Sequence, residues 1–145
     1  MSSEKRTSVK DSELNVSQEI LDDLMRALEL LESSTDLEGT AIVSKTGLRV
    51  ASSETADVVA DIYSASPATL ISLGEKISEN LKQGDLQDIV IRGNNGYTII
   101  LVGDKDNDFM LFTNGKTSFR LGYYLHKLKK AFKLMEPLLK QIQYK

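Results

Sequence analysis

The sequence predicts a three-layer α+β domain in which a five-stranded, largely antiparallel sheet carries helices on both faces. Segments whose apolar residues recur every three or four positions alternate with short strand-like segments, in the order helix, two strands, helix, three strands, helix. Residues 97–102 are apolar on both sides, which is typical of a strand inside a sheet that is covered twice. The length of 145 residues fits one domain of this kind.

The first helix is expected at residues 16–33, after a polar segment. Residues 1–14 contain few apolar side chains and predict a flexible tail, so the folded domain is expected to span residues 15–145. Leucine and isoleucine then recur at helical spacing, and Asn15 with Gln18 is expected to form a capping box where the helix begins.

A hairpin and a long second helix follow. Residues 40–44 and 48–52 are expected to be strands joined by a tight turn that contains a glycine. Residues 54–57 lead into a segment that runs to about Lys82 and carries an apolar stripe at helical spacing, which predicts one helix. The unbroken stripe favours a kink at Pro67 over a fresh start there. The residues expected to turn this stripe toward the core are Val58, Val59, Ile62, Tyr63, Leu70, Leu73, Ile77 and Leu81.

The rest of the chain predicts three strands and a last helix. The strands are expected at residues 86–92, 97–102 and 109–113, joined by short turns. A helical apolar stripe begins at about Ser118, and Pro137 is expected to bend or end that helix.

The composition excludes several classes of enzyme. The chain has no cysteine and one histidine, His126, so it has neither a thiolate nucleophile nor the ligands for a Cys-bound or His-rich metal site. We therefore expect no cofactor, no metal and no enzymatic activity. The N-terminal residues lack the apolar segment of a secretory signal, and no apolar run approaches the length that spans a bilayer, so we expect a cytoplasmic protein.

Two short segments resemble binding loops only in part. Gly115-Lys116-Thr117 matches the end of a phosphate-binding loop, but the full motif needs a glycine where Met110 stands. Residues 104–108 imitate the opening of a calcium loop, but Phe109 and Gly115 occupy the positions that need glycine and glutamate. A turn is the better interpretation of each segment, and His126 is expected to be a solvated surface residue.

Basic residues gather on one face of the last helix, in a chain whose net charge is -3. A solvated helix face is the simplest interpretation, and the alternatives are an anionic membrane or an acidic partner protein. Nucleic acid is the weakest partner class because the rest of the chain is acidic. The residues chosen for this basic surface are Lys127, Lys130 and Lys133.

Two features predict a homodimer. The strand at residues 86–92 has no proline or lysine to block pairing with another chain. The outer side of the second helix carries small residues that would let another helix approach closely. The residues predicted for the dimer and partner interface are Asp61, Ser64, Ala68, Ser72, Glu75, Asp88, Val90 and Arg92.

Several local strings, in this order, resemble the Roadblock family, named for a dynein light chain. Residues 38–48 (EGTAIVSKTGL) are similar to its first hairpin, and residues 68–75 (ATLISLGE) to the middle of its second helix. Residues 86–102 are similar to its edge strand, glycine turn and central strand, and Leu121-Gly122 to the start of its last helix. The resemblance covers about residues 15–140 and rests on order and spacing, because each string alone is degenerate.

The resemblance implies a profilin-like sandwich that dimerises through edge strands and second helices. It also implies a partner, since members bind Ras-like small GTPases as activators, exchange factors or scaffolds, or serve as motor light chains. We therefore expect a non-catalytic dimeric regulator or scaffold for a Ras-like small GTPase. Two alternatives stay open, a small-ligand sensor domain and a structural light chain of a larger assembly. A sensor would need a pocket on one sheet face.

Overall fold

The computed structural model describes residues 14–53, 65–116 and 120–144. It confirms the predicted fold class, an α+β domain with an antiparallel five-stranded sheet and helices on both sides. The elements, in chain order, are β1 (Leu14–Asn15), α1 (Gln18–Ser33), β2 (Leu37–Ser44), β3 (Arg49–Ser52), α2 (Ala65–Asn80), β4 (Asp88–Arg92), β5 (Gly96–Val102), β6 (Phe109–Lys116), α3 (Leu121–Leu139) and β7 (Gln143–Tyr144).

The five-stranded sheet has the order β3-β2-β6-β5-β4, and each neighbouring pair is antiparallel. Hairpin turns join β2 to β3, β4 to β5 and β5 to β6, which is the usual way to connect antiparallel neighbours. Gly47 in the first of these turns has a φ of 100°, a conformation that side chains disfavour. Outside this sheet, β1 pairs with β7, so the described ends of the chain lie side by side.

Each face of the sheet has its own hydrophobic cluster. The larger cluster lies under α1 and α3 and includes Ile99 and Leu101 of β5. The smaller one lies under α2 and includes Ile100 and Val102 of the same strand. Because successive side chains of a strand point to opposite faces, β5 supplies both clusters. The prediction that this strand is covered on both sides is confirmed.

Some boundaries differ from the sequence prediction, and the end of α3 agrees with it. The α1 helix is capped by Ser17, whose hydroxyl accepts a hydrogen bond from the Ile20 amide at 3.2 Å, so the predicted cap at Asn15 is wrong. Strand β2 begins at Leu37, earlier than predicted, because the segment expected to be a loop pairs with the end of β6 across a bulge. Helix α3 ends two residues after Pro137, as the missing proline N–H predicts.

The long second helix is described only from Ala65. Pro67 is the third residue of the described part of α2. Residues 54–64, of which 58–64 were predicted to form the first part of one kinked helix, lie outside the described residues. So do residues 1–13 of the predicted tail.

Candidate dimer and partner interface

Strand β4 forms one edge of the sheet, and its backbone groups divide into two sets. The Gly93 amide donates to the Gly96 carbonyl at 2.8 Å, and the Val102 amide donates to the Gln87 carbonyl at 3.0 Å. In an antiparallel ladder such bonded positions alternate, so the odd-numbered residues of β4 bond to β5. The N–H and C=O groups of Asp88, Val90 and Arg92 therefore point away from β5, in the plane of the sheet, at its free edge.

The side chains of β4 alternate in the same way between the two faces. Asp88, Val90 and Arg92 pair with Leu101, Ile99 and Tyr97 of β5, which belong to the cluster under α1 and α3. Ile89 instead packs on the cluster under α2. Val90, at the centre of the strand, and Ile91, which follows it, are 38% and 44% exposed. The edge therefore combines unpaired backbone groups with apolar side chains on both of its faces.

Helix α2 presents a second apolar feature. Leu73, Ile77 and Leu81 are 55%, 56% and 62% exposed, so the prediction that they form part of the core is wrong for the isolated chain. The buried side of α2 is formed instead by Pro67, Ile71 and Ser78. At 100° per residue these positions lie about 95° around the helix from the exposed stripe. The helix thus has two apolar sides, and the sheet covers only one of them.

The exposed stripe of α2 lies on the side of β4. Gly74 lies between the two sides of α2, about 40° around the helix from the centre of the buried side in the direction of the exposed stripe. A Cβ atom at Gly74 would lie 2.9 Å from Leu86 Cδ2 and 3.4 Å from Ile89 Cδ1, so this part of the helix sits directly against β4 and the residues before it. The stripe and the free strand edge therefore border the same side of the domain.

The structure brings together only part of the predicted interface. Asp88, Val90 and Arg92 lie in a row on the free edge, as expected for partner contacts. Ser72 and Glu75 are exposed on the other flank of α2, where they border a groove near the β5–β6 turn. Ala68 is half-buried against the cluster under α2. Asp61 and Ser64 lie outside the described residues.

Three interface candidates were missed, namely Leu73, Ile77 and Leu81. The sequence did hold a signal for them. Ile71 is out of phase with the stripe by about a third of a turn, so the apolar arc of α2 is too wide for one contact surface. Such an arc indicates either a deeply buried helix or a helix with two partners.

The basic surface on α3 is partly paired within the chain. Lys127 Nζ donates to the Ser34 carbonyl at 3.2 Å, which links α3 to the end of α1. Lys133 Nζ lies 3.7 Å from carboxylate oxygens of both Asp104 and Glu136, and Lys130 is exposed. Exposed pairs of this kind contribute little energy, so the surface is mainly solvated.

Helix α3 also anchors the loop between α1 and β2 through one tyrosine, which lies close to a buried tyrosine of β5. The Tyr124 hydroxyl donates to Asp36 Oδ1 at 2.8 Å, and this hydrogen bond raises the pKa of Tyr124. Tyr97 lies beneath, and its buried hydroxyl has no hydrogen-bond partner among the described residues. Burial and the nearby Asp36 carboxylate raise the pKa of Tyr97 to about 12.

The candidate ligand motifs take ordinary structural positions. Gly115 and Lys116 are the last residues of β6, and Lys116 Nζ lies 3.7 Å from Glu38 Oε2. Thr117 lies outside the described residues. In the loop after β5, the side chain of Asn107 accepts a hydrogen bond from the Phe109 amide at 3.0 Å, which closes the turn.

Within the described ranges, no group of three or more histidine, aspartate or glutamate side chains is placed to hold a metal ion. None of the helices in those ranges is long and apolar enough to cross a membrane. The groove near the β5–β6 turn is lined by charges of both signs, including Glu75, Lys82 and Lys133. It opens at the end of the sheet and not on either packed face, where a ligand sensor would need its pocket.

Comparison with known proteins identifies relatives of this fold. The family model of the Roadblock/LC7 domain matches residues 24–112. MglB of Myxococcus xanthus superposes with a TM-score of 0.71 at 15% identity, over 87% of this chain and 96% of that one. The gliding protein MglB of Thermus thermophilus gives 0.76 at 14% identity, over 88% and 96%. MglB with a tetrameric arrangement gives 0.75 at 14%, also over 88% and 96%. A search of curated protein sequences found no match.

Proposed function

Because the chain belongs to the Roadblock/LC7 domain family, we propose that it is a non-catalytic, dimeric regulator that binds a Ras-like small GTPase. The observation that carries the proposal is the coincidence of two unsatisfied surfaces on one side of the domain. A row of unpaired backbone groups along β4 and an apolar stripe along α2 both need a partner. A second copy of the chain offers the same two surfaces in return.

The size of the exposed stripe supports self-association. Fully burying one leucine or isoleucine contributes about 1.5–3 kcal/mol. Leu73, Ile77 and Leu81 are each more than half exposed, so a symmetric dimer would cover six such half-exposed side chains. A likeness to MglB in a tetrameric arrangement is consistent with self-association of this fold.

The GTPase is proposed to contact the outer surface of the two α2 helices. When the stripes pack together, the opposite flank of each helix, with Ser72 and Glu75, stays exposed to solvent. Both residues were predicted as interface residues from the sequence, and they fit a polar contact with a partner that binds and leaves. Asp61 and Ser64 belong to the same proposal, as part of the segment that precedes α2.

The regulatory role is proposed to require no chemistry from this chain. Gly115 and Lys116 are strand residues, so the proposal assigns no phosphate-binding role to them. Regulation would then act through the partner, by positioning the GTPase's own residues or by holding one of its nucleotide states. Activation, exchange and scaffolding are the three forms that this could take, and nucleotide-dependent binding is common to all of them.

The test is titration calorimetry against Ras-like GTPases of the same organism, each loaded with GDP or with a GTP analogue. We expect one nucleotide state to bind the dimer more tightly than the other. Ser72→Arg or Glu75→Arg should weaken that binding without dissociating the dimer, whereas Glu29→Arg, an equal charge change on α1, should have no effect. Absence of binding in both states, together with heat on adding a small metabolite, would favour a ligand sensor instead.

A further inference from the structure

The free edge of β4 carries a self-complementary arrangement of charge. From Asp88 to Arg92 the strand begins with an acid, ends with a base and has Val90 at its centre. We propose that two copies pair antiparallel through β4 in one register centred on Val90, so that Asp88 of each copy faces Arg92 of the other. This inference rests on the dimer of the proposed function and specifies the strand register and the charge pairs by which the two copies associate.

Symmetry restricts the registers that are available. For the two α2 stripes to meet on one face, the twofold axis must run perpendicular to the joined sheet. Residues that oppose each other must then point to the same face, so one residue must lie opposite its own copy. The twofold axis passes midway between these two copies. The registers that keep most of the strand paired are therefore centred on Ile89, Val90 or Ile91.

The backbone favours the central register among these three. Because the outward N–H and C=O groups belong to Asp88, Val90 and Arg92, the Val90-centred register pairs Val90 with itself and Asp88 with Arg92. Each of these opposed pairs can exchange both of its hydrogen bonds, and the whole strand takes part. The other two registers each leave part of the strand opposite a turn or a loop.

The charges favour the same register. Shifting the centre to Ile89 places the two Asp88 side chains diagonally across from each other, and shifting it to Ile91 does the same for Arg92, at about 7–8 Å. In the Val90-centred register both like pairs move far apart, and opposite charges face each other on the α3 side of the sheet. Like charges across a ladder destabilise it and opposite charges stabilise it.

The isolated chain already holds Asp88 in place. Lys129 Nζ of α3 lies 3.3 Å from Asp88 Oδ2, and the Asp88 side chain is only about a quarter exposed. Among the described residues Arg92 forms no ion pair, and its side chain is exposed. Each copy therefore presents one positioned carboxylate and one available guanidinium, which are the two halves of the contact.

The register can be tested with single cysteines, since the chain has none of its own. The Cα atom of the residue beside the twofold axis lies about 5.5 Å from the Cα atom of its own copy, which a disulfide can span. A residue one position away along the strand lies too far from its own copy for a disulfide. Val90→Cys should form a covalent dimer on mild oxidation, and Ile89→Cys and Ile91→Cys should not. Ile91→Cys is a matched control, because Ile91 is as exposed as Val90.

Charge exchange tests the contact itself. Asp88→Arg and Arg92→Asp should each weaken the homodimer by about 4-fold or more, because a pair worth about 2- to 30-fold in Kd when made twice is lost and is replaced by repulsion of similar size. Mixing the two variants should restore a heterodimer, and the double variant should restore a homodimer. Glu29→Arg, on the helix above β2 and β3, is the charge-matched control and should not change the Kd.

The outcomes separate this inference from the dimer on which it rests. Cross-linking at Ile89→Cys or Ile91→Cys, or none at any position in a protein that sediments as a dimer, overturns the register and leaves the proposed function standing. A double variant that stays weak while it is folded overturns the charge contact. A chain that sediments as a monomer at high concentration overturns both.

Discussion

Replacement of Ile77 by serine tests whether the apolar stripe on α2 is an interface. Ile77 is 56% exposed in the isolated chain. Covering that fraction would stabilise a dimer by about 0.8–1.7 kcal/mol per copy, and the two copies together by about 1.7–3.4 kcal/mol. The Ile77→Ser variant is therefore expected to raise the dimer Kd about 20- to 300-fold.

The measurement is sedimentation velocity over a concentration series, with thermal unfolding of each variant recorded beside it. The matched control is Leu134→Ser, because Leu134 is an apolar residue of α3 that is 74% exposed. It carries a somewhat larger cost in helix propensity, since leucine is the better helix former, and it lies on a different helix. Equal dimer Kd values for the two variants would refute the assignment of the stripe to the interface. Marked destabilisation of the Ile77→Ser monomer would show that Ile77 belongs to the core.

Three further predictions concern the edge, the buried tyrosine and the basic surface. Val90→Pro should weaken the dimer without unfolding the domain, because the Val90 N–H points away from β5; sedimentation together with circular dichroism would show this, and loss of the fold would contradict it. Tyr97→Phe should raise the free energy of unfolding by about 1 kcal/mol at neutral pH, because it removes a buried hydroxyl without a described partner. The pKa of Tyr97 is raised to about 12 in the folded chain, from 10 in the unfolded chain. The ionisation of Tyr97 therefore leaves the free energy of unfolding unchanged below pH 10 and lowers it as the pH rises from 10 toward 12, because the unfolded chain loses this proton first. Urea unfolding at neutral and alkaline pH should show that loss in the parent chain and less of it in the Phe variant. The triple change of Lys127, Lys130 and Lys133 to glutamine should lower the free energy of unfolding by less than about 2 kcal/mol, since exposed contacts are weak; a larger loss in the same urea assay would mean that this face is packed.

The contrast between β5 and α2 explains how far the sequence could predict this molecule. In β5 both sets of alternating residues are apolar, and a two-sided strand has only one place in a sheet covered twice, so fold and layer order followed directly. In α2 the same kind of evidence was ambiguous. A helix that packs on its own sheet and a helix that also packs on another copy both need apolar residues, and periodicity does not distinguish the two surfaces.

The candidate site was predictable only where backbone geometry dictated it. An edge strand without proline or lysine indicates a pairing surface from sequence alone, which is why Asp88, Val90 and Arg92 were identified. Which of their backbone groups face outward depends on the turn that closes the β4–β5 hairpin, and the structure is needed for that. The small residues of α2 were ambiguous, because close approach of a second helix is one use of small side chains and packing against the sheet, as at Ala68, is another.

The alternation along β4 has a consequence for how this part of the chain can change in length. A deletion or insertion of one residue within the strand would exchange the two sets of backbone groups and turn every side chain to the other face. The groups offered to the outside would then belong to Ile89 and Ile91, and Asp88 would lose its lysine on α3. A change of two residues would preserve both arrangements. Homologous chains are therefore expected to vary in length in the turn around Gly93, and to keep the strand itself constant or to change it only in steps of two.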